Sequence, residues 1–327
     1  MKTAYMQQID VLMGGPGREA TISRMSAETV AAQLHQMGHD VRQIDVAEQL
    51  DQRLLRPNSV VFDLIHGTYG EDGSLQRELE AVERTFVGSD SAASALCFDK
   101  QATKTALAVA GLPVCPGIVL AAEDDPTALS LEFSGPHGFA IKPVRDGSSV
   151  GLRLITSPAE LPTAVGSIRE ELGPVDLLIE PRLTGAEYTV TVIEGGGGSL
   201  QALTPIRIDA HAGSYDYAAK YDRDDTCYIF AEEEPLASRL RELAQRSFTA
   251  CGCRDLARVD CMTDLSGEPH VLEINTIPGF TSHSLVPKAA EHDGLGLAFL
   301  LEHLVLRAVD RRVCRCHHHE REGGGHP

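Results

Sequence analysis

The stretch LARVDCMTDLSGEPHVLEINTIPGFTSHSL, residues 256–285, decides how the rest of the chain reads. Residues 256–262 and 270–275 have the composition of two strands, and Asp264-Leu265-Ser266-Gly267 between them supplies turn residues. With Ser266-Gly267 as the tip of the hairpin, Asp260 faces Glu273. Asn275 lies two residues on, on the same face. Opposed carboxylates repel across a strand pair, which a strand that only had to fold would avoid. A bound cation removes the conflict, and Asp260, Glu273 and Asn275 offer hard oxygens suited to Mg²⁺. Arg258 shares the face and can meet a developing negative charge. The plainer alternative is a solvated hairpin face, which the apolar residues around these four positions disfavour. PGFTSHSL then forms a Gly- and Ser-rich turn with several donors, suited to an anion.

The chain is 327 residues long, enough for two or three domains, and 43% hydrophobic, as expected of a folded protein. It has no Trp, is 5% aromatic and carries a net charge of −18. That balance argues against a broad nucleic-acid or membrane-surface footprint. No apolar run nears the roughly 20 residues that span a bilayer. MKTAYMQQIDVLMGG reads as a first strand rather than a signal peptide. The eight Cys form no CxxC pair and read as reduced cytosolic thiols.

In chain order, a strand at 9–13 ends in Gly14-Gly15-Pro16-Gly17, and a helix over 21–37 and a strand over 41–46 follow. This is the start of an open α/β domain, in which ligands gather at the carboxyl ends of strands. Glu19 sits at that end, where it is equally a first-turn helix carboxylate. A buried strand at 60–65 runs into His66 and a Gly-rich loop. The helix 74–83 and a segment at 86–88 complete a first domain near residue 95. A helix over 99–110 carries Lys100 and Lys104. Lys142 lies inside the strand 139–143, which is costly without an anion nearby. The loop 145–151 has no helix behind it and so is not a P-loop, but its small residues can cover phosphates. Strands are expected at 152–156, 177–179, 188–193 and 203–208. The Tyr-rich segment 214–221 reads as a loop, either a lid or an interface. Helices are expected at 235–251 and 295–309. The Cys/His-rich end, 312–327, reads as a disordered tail with soft-metal ligands in it.

Taken together, HGTYGEDGSLQ (66–76), KPVRDGSSVG (142–151), EPRLTGAEYTV (180–190), YDYAAKY (215–221), LARVD (256–260) and EINTIPGFTSHSLVPKAA (273–290) resemble the motifs of the D-alanine–D-alanine ligases, a family of the ATP-grasp superfamily. They occur in family order, and the resemblance covers roughly residues 5–310. It implies an α/β protein with an ATP-grasp fold: an N-terminal open α/β substrate domain (1–95), then a central (96–185) and a C-terminal (186–311) α+β subdomain with ATP between them.

The resemblance also implies residue roles. Lys100 and Lys142 would contact phosphates. Glu180, Arg182 and Leu183 would frame the adenine, Glu187 would bind the ribose hydroxyls, and Lys220 would belong to the nucleotide site. Asp260, Glu273 and Asn275 would hold two Mg²⁺ or Mn²⁺ ions. Arg258 and the Gly279 N–H would stabilise the oxyanion. Ser284 and the Leu285 backbone would hold the second D-alanine carboxylate, and Glu19 with His66 the first ammonium group. Ser148, Tyr221 and Glu19 would form a latch that keeps water from an acyl phosphate. The implied enzyme is a cytoplasmic, homodimeric ligase feeding peptidoglycan synthesis. It would bind no nucleic acid and no membrane. Tyr221 favours D-alanine over D-lactate as the second substrate, with D-lactate or D-serine ligation as the alternative. A non-catalytic ATP-binding regulator would have lost a metal ligand or Arg258, and none is lost. The N-terminal motif GGPGREATIS departs from the family pattern GGxSxEREVS, with Gly17 in place of Ser and Ala20-Thr21 in place of Arg-Glu.

Overall fold

A computed structural model describes residues 6–131, 133–210, 226–233 and 235–322. Three sheets follow one another along the chain. The first holds β1 (Gln8–Gly14), β2 (Asp40–Val46), β3 (Val60–Asp63) and β4 (Thr85–Phe86), all parallel, in the order β2-β1-β3-β4. Helix α1 (Ala20–Gln36) packs on it. A parallel sheet is covered on both faces, so its central strands read as near-continuous apolar runs, interrupted in β1 by the buried Asp10, which pairs with Arg42 and Arg56. Ile9, Val11, Leu12, Val60 and Val61 accordingly have no exposed surface, each contributing about 1.5–3 kcal/mol by burial. β3 stops at Asp63, two residues before the expected end, because the Asp63 carboxylate turns back to accept from Ile65 N at 2.9 Å. The strand end thus becomes a side-chain turn that hands the backbone to His66.

Helix α2 (Ser74–Ala81) begins at Gly73, whose φ of 84° is costly for any residue with a Cβ. Then α3 (Ser91–Phe98) and α4 (Lys100–Val109) meet at Asp99. Asp99 ends one helix and caps the next, accepting from Ala102 N at 2.8 Å. The break turns Lys100 out at the first turn of α4. By packing, α3 and α4 lie with the third sheet: Cys97, Leu107 and Leu112 share a core with Val190, Val259 and Ile274.

The second sheet is antiparallel, β5 (Ile118–Leu120), β6 (Phe139–Pro143), β7 (Arg153–Ile155) and β8 (Leu177–Pro181), in the order β5-β8-β6-β7. It is covered by α5 (Leu161–Leu172), a helix the sequence reading did not single out. The third sheet holds β9 (Glu187–Glu194), β10 (Leu200–Ala202), β11 (Ile206–Ala210), β12 (Thr226–Phe230), β13 (Leu256–Thr263) and β14 (Pro269–Asn275). Its path is β12-β11-β9-β13-β14, with β10 beside β9. The expected strand at 203–208 begins three residues later, as β11, and the short β10 before it was not expected. Helix α6 (Leu236–Ala250) buries Leu240, Leu243, Ala244 and Phe248 against this sheet. Two more helices follow, α7 (Leu285–His292) and α8 (Gly296–Glu322).

The first and third sheets share one core, in which Ile9, Val11 and Phe62 pack with Ile206, Leu256 and the α8 residues Leu301 and Leu304. Helix α8 runs past 309 to Glu322, so the backbone of residues 313–322 is helical rather than the disordered tail expected. Residues 323–327 lie outside the described residues, as does the Tyr-rich segment 214–221.

Candidate active site

Two cavities meet at the β13–β14 hairpin. Loops after β1 and β3 bring Glu19 and His66 to the first, and the hairpin adds Arg258 and Asn275. Ser148, Gly279, Ser284 and Leu285 complete its wall. The second lies between the second and third sheets and is lined by Lys142, Glu180, Arg182, Leu183, Glu187 and Asp260. Lys100, Asp146, Gly147 and Glu273 border both.

The hairpin has the expected pairing at the site but reaches it by another route. Asp260 pairs with Glu273 and Arg258 with Asn275. Nearer the turn, Cys261 pairs with Val271 and Met262 with His270, so Leu272 has no counterpart on β13. This β-bulge turns Leu272 and Glu273 both toward the second cavity. Without it Glu273 would fall opposite Val259 and face the core.

The repulsion between the opposed carboxylates is relieved by the protein's own cations. Arg258 donates to Asp260 from Nε at 2.9 Å and from Nη2 at 2.7 Å. Thr189 Oγ1, from the neighbouring β9, donates to the same carboxylate at 2.5 Å. Lys100 Nζ lies 3.7 Å from Glu273 and also donates to the Asp146 carbonyl. Arg258 and Asp260, given separate roles from the sequence, are thus one bidentate pair. Asn275 Oδ1 accepts from Ile277 N at 3.1 Å. Among the described residues, no three His, Cys, Asp or Glu side chains cluster at metal-binding distance. The candidate ion site therefore consists of two carboxylates and one amide oxygen, a hard-donor set that suits Mg²⁺ with substrate oxygens or water completing the shell.

The second cavity contains a charge cluster the sequence reading described only in part. Glu180 is buried and bonded to two lysines: Lys142, whose Nζ is 2.6 Å from Oε1, and Lys104, on Oε2. Burial opposes ionisation of Glu180, but the two ammonium groups outweigh it and hold the carboxyl below its usual range. Burial likewise opposes the charge on Lys142, and Glu180 more than compensates, raising its pKa. Burial lowers the pKa of Lys104, with Lys142 adding repulsion. Lys104 received no role from its sequence. The available signal was its spacing, since a residue four beyond Lys100 shares its helix face.

In the first cavity, Ser148 Oγ donates to Glu19 Oε1 and so ties the loop after β6 to the start of α1. Ser148 has a φ of 52°, uncommon outside glycine. A Cβ on Gly147 would come 3.2 Å from Glu19 Oε2, so the loop approaches this carboxylate with little room. His66 is buried. Its Nδ1 lies 3.0 Å from the Ile277 carbonyl and 3.5 Å from Glu71 Oε1, and its Nε2 is buried with no hydrogen-bond partner among the described residues. Burial alone would lower the His66 pKa, but Glu71, helped by Glu19 and Asp63, raises it. Burial also lifts Glu71 above the usual carboxylate range, and lifts Asp63 to about 8. A Cβ on Gly279 would stand 2.8 Å from Ser284 Oγ, so a side chain there would displace the Ser284 hydroxyl. Leu285 opens α7, where N–H groups have no intrahelical acceptor. Lys220 and Tyr221 lie outside the described residues.

Comparison with known proteins gives this arrangement a relationship. Residues 107–306 match the family model described as the D-ala D-ala ligase C-terminus. The D-alanine–D-alanine ligase B of Chromobacterium violaceum is 37% identical over 308 residues, 93% of this chain and 97% of that protein. The structure of the D-alanine–D-alanine ligase from Coxiella burnetii superposes with a TM-score of 0.82 at 28% identity, covering 98% of this chain and all of that one. The Bacillus anthracis D-alanine–D-alanine ligase, complexed with ATP, gives 0.79 at 26% identity over 94% of this chain and 99% of the other. Fold and neighbours define an ATP-grasp protein. The chain belongs to the D-alanine–D-alanine ligase family.

Proposed function

We propose that this chain is an ATP-dependent D-alanine–D-alanine ligase, joining two D-alanines for peptidoglycan synthesis in the cytoplasm. One observation carries the reading: a nucleotide-sized cleft and a small polar cavity share Lys100 and Glu273 as a common border. A phosphoryl group crossing that border passes from nucleotide to amino acid without entering solvent.

In this reading ATP occupies the second cavity, its adenine near Arg182 and Leu183, its ribose at Glu187 and its phosphates toward Lys142 and Lys100. Asp260, Glu273 and Asn275 would hold Mg²⁺, which supplies charge neutralisation at the transferring phosphate. The first D-alanine sits beside Glu19 and His66, its ammonium group on Glu19. Its carboxylate attacks the terminal phosphate, and Lys100 at the border offsets the charge that develops. Arg258 and the Gly279 N–H face the acyl carbon and meet the oxyanion as the second amine attacks. Ser284 and the N-terminus of α7 hold the second carboxylate. The Ser148–Glu19 contact supports a closed loop that limits hydrolysis of the acyl phosphate. A homodimer and a Tyr221 contribution to the latch belong to the same proposal.

The test is phosphate release with ATP, Mg²⁺ and a mixture of D-alanine, D-lactate and D-serine, with products read by mass. The dipeptide D-alanyl-D-alanine is expected as the main product. Phosphate release with none of these acids would end the reading, and a depsipeptide or a D-alanyl-D-serine product would transfer it to the alternative.

A further inference from the structure

Three thiols that the ligase chemistry leaves unused meet behind the first cavity. Cys97 lies in the last turn of α3, three residues before Lys100. Cys251 and Cys253 flank Gly252, directly after α6. The Cys97 and Cys253 sulfurs are 3.6 Å apart, although 156 positions separate them in the chain. All three are buried in the core of the third sheet. Of the three, Cys97 alone also lines the first cavity.

We propose that Cys97 and Cys253 are a redox modification site, closing to a reversible disulfide when a small peroxide enters through the first cavity. A disulfide needs its sulfurs at about 2.05 Å, so closure asks for roughly 1.5 Å of movement. The end of α3 and the turn at Gly252, whose φ is 68°, lie where the chain changes direction between elements. Among the described residues no three metal-ligating side chains cluster at metal-binding distance, which favours covalent chemistry over a soft-metal site.

The Cys97 thiol is held above the usual range by its thiol neighbours and by burial. Its sulfur attacks one peroxide oxygen. The O–O bond breaks, the Cys97 proton leaves with the departing oxygen as water, and a sulfenic acid remains on Cys97. The Cys253 thiol then attacks the Cys97 sulfur. An S–S bond forms, the S–O bond breaks, and water leaves with the Cys253 proton. The two sulfurs are oxidised and the peroxide is reduced.

The experiment treats the fully reduced chain with hydrogen peroxide, alkylates the remaining thiols and digests without reductant. A cross-linked peptide pair carrying Cys97 and Cys253, two hydrogens lighter than the separate peptides and released by dithiothreitol, is expected. Cys97→Ser and Cys253→Ser should each abolish it. Full alkylation of Cys97 and Cys253 while the exposed Cys227 oxidises would overturn the proposal. So would sulfinic acid on Cys97 without a bridge, or a bridge from Cys97 to Cys251 in place of Cys253. The readout does not depend on catalysis, so it stands or falls apart from the ligase assignment.

Discussion

The Nζ of Lys142 lies 2.6 Å from Oε1 of Glu180, and the second oxygen of that carboxylate belongs to Lys104. One buried anion thus positions two cations, the buried Lys104 and the partly exposed Lys142, in the proposed nucleotide cleft. Replacing Glu180 by Gln leaves both ammonium groups without their counter-charge. Breaking a buried pair in this way costs about 3–5 kcal/mol. The Glu180→Gln variant should unfold at markedly lower urea, with a weakened apparent affinity for ATP. Lys104→Met leaves the Glu180–Lys142 pair intact and should cost less, so a larger loss in Lys104→Met than in Glu180→Gln would contradict this ordering.

Asp260 and Glu273 form the proposed ion site, and substitution by the matching amides keeps shape while removing charge. Either change should reduce Mg²⁺-dependent turnover by at least about 100-fold, the upper end of what outer-shell partners cost. Glu273→Gln should also raise the Mg²⁺ concentration needed for half-maximal rate. A titration with the same midpoint as the parent would remove Glu273 from the ion site.

Ser148→Ala removes the hydroxyl that links the loop after β6 to Glu19. The fold does not depend on that bond, so the thermal midpoint should change little. A loosened loop admits water, so phosphate release should exceed dipeptide formation, whereas the parent releases one phosphate per dipeptide. Tight coupling in the variant would argue against the latch.

Gly279→Ala puts a methyl group 2.8 Å from the native position of Ser284 Oγ. Ser284 has to move, and it is the proposed anchor of the second carboxylate. We expect the KM for the second D-alanine to rise on the order of tenfold or more, which is 1.4 kcal/mol or more, with the KM for ATP nearly unchanged. Equal rises in both would point to a general distortion.

Burial lifts the Asp63 carboxyl from its ordinary range near 3.8 to about 8. Its folded form therefore keeps a proton that the unfolded chain releases. The associated stability is complete below about pH 4 and is lost as pH rises toward 8, amounting to at most on the order of 6 kcal/mol. Urea unfolding should show the parent weakening from pH 5 to pH 8. Asp63→Asn should show a flatter profile over the same interval, and parallel profiles would remove Asp63 as the source.

Much of this molecule could be read before folding it. Strands β1 and β3 announce themselves as short, mostly apolar runs that end in glycine-rich loops, and Asp260, Glu273 and Asn275 as polar positions among apolar ones. What stayed hidden depends on contacts between distant segments. The Lys104–Glu180 pair joins a helix to a strand from another part of the chain, and no periodicity marks it. Helix α5 offered its apolar face without a motif to draw the eye. The inference that opposed carboxylates require a bound cation was too narrow, because Arg258 and Lys100 already relieve them. The register assumed from the turn matched at Asp260–Glu273 and missed by one residue nearer the tip, where Leu272 is extra.

That unpaired leucine separates foldability from activity. The same chain folded with Leu272 opposite Asp260, in an unbroken ladder, would keep its turn and its strand pairing. It would rotate Glu273 and Asn275 into the hydrophobic interior. Its sequence would be identical to that of the working molecule, although half of its ion site had been turned inside out.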